Sequence, residues 1–422
     1  MAAVHPCPAP AAHRRLMDCH ATWHAMADSY MEPDTFRMHL NSLLQSLRNV
    51  TFLLQKQKAE LPKFDEWYTA FVRDVCPRPL LRWSVKSRNR VVKESDLELL
   101  SEFRIRWVMD WLRRGERKFT FPPRMSTRDM LGAIFSDPGN PRVGVVTISR
   151  RWVDKALPDY ELLHATREVF IELSRLLLSA HDASGGGACE LDTRDLKCVT
   201  PAITPHPLSC MVINSGILQE HLDLSDGFGI KEVEYRIDRD ERRIKQARKR
   251  YGGPLVIDPS GPMEMAPKLM ESALMVLRRD KTHMNMMWSF RGSKIIDMMS
   301  PNYADQNGKY LMFHRLADRV ESLRADGVIL LNEAWWAAHL VLDENGIPIP
   351  ARERKDRQEA LHILAATREG ERLALTVPFT RSRFGKIETG DMLEEYGDAI
   401  GSFGPLIPIQ ERWRQMDDRD ER

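Results

Sequence analysis

Cysteine and histidine are the residues whose types most readily suggest chemistry in this chain. Cys189, Cys198, His206 and Cys210 gather four zinc-type ligands in one stretch, and four such groups suffice to close a tetrahedral structural site. Their spacing fits none of the common zinc patterns, because no Cys-x-x-Cys pair occurs, so the expectation is unpaired loop and strand cysteines. His20 and His24 lie one helical turn apart and can face a metal together. The string His-Ala-Thr-Trp-His lacks the glutamate of the metalloprotease pattern, however, and no third ligand is evident. They are expected to be packed or surface histidines beside Trp23. On this reading no metal and no cofactor are expected.

A second class of chemistry is phosphate binding. Between Lys231 and Arg250 nine lysines or arginines stand against five acids, and Arg242, Arg243, Lys245, Arg248, Lys249 and Arg250 crowd the end of that segment. Such a cluster suits contact with nucleic-acid phosphates. Basic residues also favour a helix carboxyl terminus, and Gly252-Gly253 follows directly, so a solvated helix end accounts for the same residues. Gly185 to Gly187 is not followed by Gly-Lys-Ser/Thr, and no Gly-x-Ser-x-Gly elbow occurs, so neither a nucleotide-binding loop nor a serine hydrolase is indicated.

Arg88-Asn89-Arg90-Val91-Val92-Lys93-Glu94 sits on a predicted helix, which places Arg88 and Lys93 within about one and a half turns. The arrangement resembles the HEPN superfamily, whose motif is an arginine, often followed by asparagine, and a histidine four to six residues later. The resemblance is confined to roughly residues 20–115. It implies a small helical bundle, often dimeric, and in many members a metal-independent ribonuclease of defence or toxin–antitoxin systems. Here Lys93 stands where the spacing assigns histidine. An unperturbed lysine titrates about four units above imidazole and is a poor proton shuttle near neutrality. The expectation that follows is a nuclease-inactive HEPN-like protein with an RNA- or partner-sensing role. Beside it stand an active ribonuclease using Arg88, Asn89 and Lys93, and a structural or adaptor protein without nucleic-acid binding. Plain surface ion pairs among Arg88, Lys93, Glu94 and Asp96 explain the motif equally well. Expected partners are RNA, a second copy of the chain through the helical domain, or another protein. Arg48-Asn49 is a further candidate for the same cleft.

The elements that would carry these groups are predicted as follows. Phe36, Leu40, Leu43, Leu44, Leu47, Val50 and Leu54 recur at helical spacing over 35–55, with Asp34 marking the start. Residues 63–75, 80–92, 96–113 and 159–180 also read as helices, the third from Leu97, Leu100, Phe103, Trp107 and Trp111. An antiparallel helical bundle, interrupted by a strand at 143–148, is the economical arrangement. Beyond the glycine run the pattern becomes mixed. Strands are predicted at 210–213, 255–257, 284–290 and 328–331, and helices at 231–250, 267–277 and 314–324. A β-hairpin is expected at 359–366 and 372–379, turning at Gly370.

The fold class expected is therefore α+β. Residues 1–15 are read as a frayed tail without a secretory signal, 16–181 as the helical domain, 182–207 as a linker, 208–415 as the α+β domain and 416–422 as a second tail. With 43% apolar and 29% charged residues a packed core is expected, and the net charge of +2 gives no global pull toward nucleic acid. The longest apolar runs, such as Val328 to Leu331, are far too short to span a bilayer, and six scattered cysteines fit reduced thiols in a cytoplasm.

Overall fold

The computed structural model describes residues 6–420 apart from 187–188, 190, 192–207, 212, 214, 226, 228, 231–239, 253–260, 338–340, 342–348, 350, 383–385 and 401–403. The chain is mixed α+β, with a β-rich carboxyl-terminal region, and divides into two compact units. The first comprises Met1–Trp107 with Gly115–Glu232, and the second Val108–Arg114 with Val233–Arg422. Among the described residues no helix is long and apolar enough to cross a membrane.

In the first unit, α1 (Pro10–Asp28), α2 (Pro33–Lys56), α3 (Phe64–Asp74) and α4 (Pro79–Lys93) are followed by β1 (Leu99–Val108), β2 (Arg114–Thr120), α5 (Thr127–Phe135), β3 (Val145–Asp154) and α6 (Leu162–Ala183). A short α7 (Ser215–Leu218), β4 (Gln219–Asp223) and β5 (Gly229–Ile230) complete it, and the sheet runs β2-β1-β3-β4-β5. Helices α1, α2, α4 and α6 pack on one another around Leu16, Trp23, Phe36, Leu43, Leu47 and Phe170, all at most 1% exposed. The apolar stripe of α2 predicted from spacing is the one that is buried. Its start differs from expectation: Glu32 is the flanking residue, and Asp34 sits inside the first turn, where its charge meets the positive helix end without capping it.

Four expectations are corrected. Residues 99–108 are strand, not helix. Leu97, Leu100, Phe103 and Trp107 imitate helical spacing, but Ser101, Phe103, Ile105 and Trp107 point inward while Glu102 and Arg104 point out, the period of two of a half-buried strand. Phe103, Ile105 and Trp107 pack against Met130, Ile134, Val146 and Ile148. Residues 209–211 form a single 3-10 turn closed by the Met211 N–H donating to Leu208 O at 3.0 Å, because so short an apolar run cannot impose a strand. The presumed tail at 1–15 contains the first turn of α1, with Ala9 and Ala12 fully buried, and the presumed tail at 416–422 contains the end of a helix through Asp420. The predicted strand at 255–257 and most of the predicted linker lie outside the described residues.

A buried cation braces the first unit. Arg150 on β3 donates to Ser101 Oγ (2.9 Å), Met31 O (3.2 Å) and Pro123 O (2.7 Å), with its guanidinium 3.8 Å above the Trp152 ring and 4.7 Å from Phe103. Burial draws its pKa down to about 10, against the pull of Tyr30, Glu32 and Glu220.

The second unit holds α8 (Glu241–Tyr251), α9 (Pro262–Asp280), β6 (Met286–Arg291), β7 (Lys294–Met299), α10 (Gln306–Leu323), β8 (Gly327–Trp336), β9 (Gln358–Thr367), β10 (Arg372–Arg381), β11 (Ile387–Thr389), β12 (Leu393–Tyr396) and α11 (Ile407–Asp420). Its antiparallel sheet runs β11-β10-β9-β8-β6-β7, with β12 also pairing β10. The hairpin of β9 and β10 is the one predicted, with Gly370 at φ +98°. Ile329, Leu331, Ile363 and Leu375 face α9, whereas Val328, Leu330, Leu364 and Ala374 face α10 and α11. Coverage of both faces explains why β8 is a continuous apolar run rather than an alternating one.

Candidate metal centre

The strongest chemical grouping joins two places far apart in sequence. Pro10 occupies the first turn of α1, where its fixed φ suits a helix start and its missing N–H costs nothing. This places His13 one turn into the helix and Cys7 just before it. Helix α6 runs antiparallel to α1: Trp23 Nε1 donates to Leu163 O (3.1 Å), the rings of His20 and Phe170 lie 5.8 Å apart, and those of His13 and His181 lie 5.7 Å apart. The end of α6 is therefore level with the start of α1.

After α6 the chain must reverse. Gly185 (φ +107°) and Gly186 (φ +70°) adopt left-handed backbone, and the Gly186 N–H donates to His181 O at 2.8 Å. The reversal returns Cys189 toward α1. Gly185 and Gly186 thus turn the chain ahead of Cys189.

Cys7, His13, His181 and Cys189 are 8%, 0%, 4% and 1% exposed, and their four ligand atoms all lie within 4.8 Å of one another. His13 Nδ1 is 3.4 Å from Cys7 Sγ and 3.4 Å from Cys189 Sγ, and His181 Nε2 is 3.6 Å from Cys7 Sγ. A zinc tetrahedron with Zn–S near 2.3 Å and Zn–N near 2.0–2.1 Å has S···N edges of about 3.5 Å. The three separations match that edge. Two thiolates and two neutral imidazoles around Zn²⁺ sum to zero charge, which suits a site closed to water.

A second group lies further along the same helix. His20 Nε2 is 3.2 Å from Cys210 Sγ and 3.2 Å from His24 Nε2. His20 is buried, while His24 and Cys210 are half-buried. Burial, with His24 adding to it, pushes the His20 pKa down to about 4, and burial also lowers that of His24 against the pull of Asp28. Both rings are neutral at neutral pH, the form that binds metals.

The sequence reading placed no metal and grouped Cys189 with Cys198, His206 and Cys210. The structure divides that set: Cys189 joins the first group, Cys210 joins His20 and His24, and Cys198 and His206 lie outside the described residues. Cys7, His13 and His181 were not singled out. Their signal is a Cys-x5-His pair and a His-x7-Cys pair, neither a familiar zinc spacing, and nothing in sequence joins them.

The residues proposed for phosphate chemistry fall elsewhere. Arg88 is half-buried on α4 and donates to its neighbour Asn89 at 3.2 Å, Asn89 is exposed, and Lys93 is the exposed last residue of the helix. Arg48 donates to Thr51 Oγ1 (2.9 Å) and lies over the Phe52 ring. Arg242, Arg243, Lys245, Arg248, Lys249 and Arg250 are exposed on α8. Asp240 caps that helix through the Arg242 and Arg243 amides, and Arg250 pairs with Asp280.

Comparison with known proteins overturns the HEPN resemblance. Protein ea47 of Escherichia phage lambda is 24% identical over 339 residues, covering 76% of this chain and 78% of that protein, and no solved structure matches. Nothing indicates a HEPN-like domain. An Arg-Asn-x-x-x-Lys string is short enough to arise on any charged helix, and the nuclease, RNA-sensing, defence and toxin–antitoxin expectations built on it fall with the resemblance. What matches, from residue 2 to residue 421, is the family model described as Bacteriophage lambda protein ea47, and this chain belongs to that family.

Proposed function

We propose that this chain is a zinc-binding protein in which Cys7, His13, His181 and Cys189 close a four-coordinate structural centre. The observation that carries the reading is the set of S···N separations of 3.4, 3.4 and 3.6 Å among four buried donors. A closed, buried, four-donor set is the form of a structural zinc site rather than a catalytic one, which keeps a position for water. Its work is to fasten the segment before α1 to the turn after α6, and so to fix the antiparallel α1–α6 pair that runs through the first core. Such centres couple metal binding to folding.

The test is metal content. Protein purified under reducing conditions without added metal is analysed for zinc by plasma mass spectrometry, alongside Cys7→Ser and Cys189→Ser. Each variant is expected to hold one equivalent less than the parent chain. Zinc content unchanged in both variants overturns the reading. So does a parent chain that holds no zinc while Cys7 and Cys189 are reduced thiols.

A further inference from the structure

We propose that His20, His24 and Cys210 form a second transition-metal site, in which three protein donors hold a zinc-class ion that keeps one exchangeable position for water or a small anion. This goes beyond the closed centre and stands on different residues. Histidines four apart on a helix direct their rings to one side, and here His20 and His24 bring their Nε2 atoms to 3.2 Å, close to the N···N edge of about 3.3 Å in a zinc tetrahedron. Cys210, on the turn at Ser209–Met211, brings its sulfur to 3.2 Å from the same His20 nitrogen. All three donor atoms lie within 4.8 Å of one another.

The surroundings fix the two rings. Trp23 meets His24 edge-on with centroids 5.3 Å apart, and Phe170 lies against His20. Between these ring contacts the two Nε2 atoms stand 3.2 Å apart.

The contrast with the first group carries the open position. There, four donors are buried; here, two of three are reached by solvent. Three nitrogen and sulfur donors, two of them on part-exposed residues, reproduce the ligand count of zinc sites that bind a water, and such a water is acidified by the metal. The two groups are separate centres and not one two-metal clamp. His13 and His20 are seven residues apart on α1, a rise of about 10.5 Å, against roughly 3.5–4 Å between the ions of a two-metal site.

The experiment uses the full chain, stripped by chelator under reducing conditions and titrated with Co²⁺. The parent chain is expected to take up two equivalents with thiolate-to-cobalt absorption. Cys210→Ser and His24→Ala are each expected to take up one, and Cys189→Ser, which damages the other centre, also one. Added azide is expected to shift the visible cobalt bands of the parent chain and of Cys189→Ser, and to leave those of Cys210→Ser unmoved. If Cys189→Ser fails to fold, the parent chain compared with Cys210→Ser decides by itself. Uptake by Cys210→Ser and His24→Ala equal to the parent chain overturns the site. Bands in the parent chain that azide does not move overturn the exchangeable position. Uptake of one equivalent, lost in Cys210→Ser and kept in Cys189→Ser, supports this site while removing the first.

Discussion

Replacing Cys189 by serine takes away one sulfur of the closed centre with almost no change in volume, so its effect on stability isolates the metal. The separations in the group fall within about 0.1 Å of the S···N edge expected for zinc, so the folded chain presents the donors without rearrangement and tight binding is expected. A ligand that binds only the folded state adds RT ln(1 + [L]/Kd), about 2.7 kcal/mol at one hundred times Kd and about 4.1 kcal/mol at one thousand times. The first unit has roughly 225 residues, a size at which 1 kcal/mol moves Tm by about 2–4 °C. At matched free zinc in that range, Cys189→Ser should therefore unfold about 5–16 °C below the parent chain by differential scanning calorimetry. Cys76→Ser, a half-buried thiol of the same unit outside both groups, serves as the control and should move far less. A Cys189→Ser transition within about 2 °C of the parent chain would refute the structural role.

Three further outcomes follow from other parts of the fold. Gly327→Ala should destabilise the second unit by about 1–3 kcal/mol in urea unfolding, because the added methyl would sit 2.8 Å from Pro262 Cγ and 3.3 Å from Phe290 Cβ; an unchanged midpoint would contradict the close packing. Arg150→Lys should cost about 2–4 kcal/mol in the same assay, since an ammonium cannot serve three acceptors in the guanidinium plane or stack on Trp152, and parent-like stability would show that the charge alone suffices. Burial, helped by Lys309, holds the His362 pKa down to about 4. The unfolded chain therefore takes up a proton near pH 6.5 that the folded chain refuses until about pH 4, so this contribution is complete above pH 6.5 and is lost as the pH falls between those values, by on the order of 3 kcal/mol. His362→Gln should flatten that stretch of the stability curve, and an identical slope in both proteins would count against it.

The elements most legible in the sequence are those whose burial follows one simple period. The apolar stripe of α2, the hairpin of β9 and β10 with Gly370 at its turn, and the helical stretch of α6 lie where spacing puts them. β1 was not legible because bulky residues at 97, 100, 103, 107 and 111 fit a helical period while the pairing of β1 between β2 and β3 selects the two-residue one. Local pattern loses there to sheet formation. The site was half legible. Cys189, Cys210, His20 and His24 were recognised as ligand types, but His13 and His181 are brought together only by the antiparallel packing of α1 on α6, and Cys7 stands in a proline- and alanine-rich stretch that reads as a tail. A centre assembled across 174 residues from Cys7 to His181 leaves no spacing to read. The Arg88 to Lys93 string shows the opposite failure, a local spacing that exists without the fold it suggested.

The most direct test is zinc K-edge X-ray absorption on Cys210→Ser protein, in which the half-exposed group has lost its sulfur. The spectrum should show two sulfurs near 2.3 Å and two nitrogens near 2.0–2.1 Å around each zinc. A first shell of nitrogen and oxygen alone would contradict the Cys7–His13–His181–Cys189 centre.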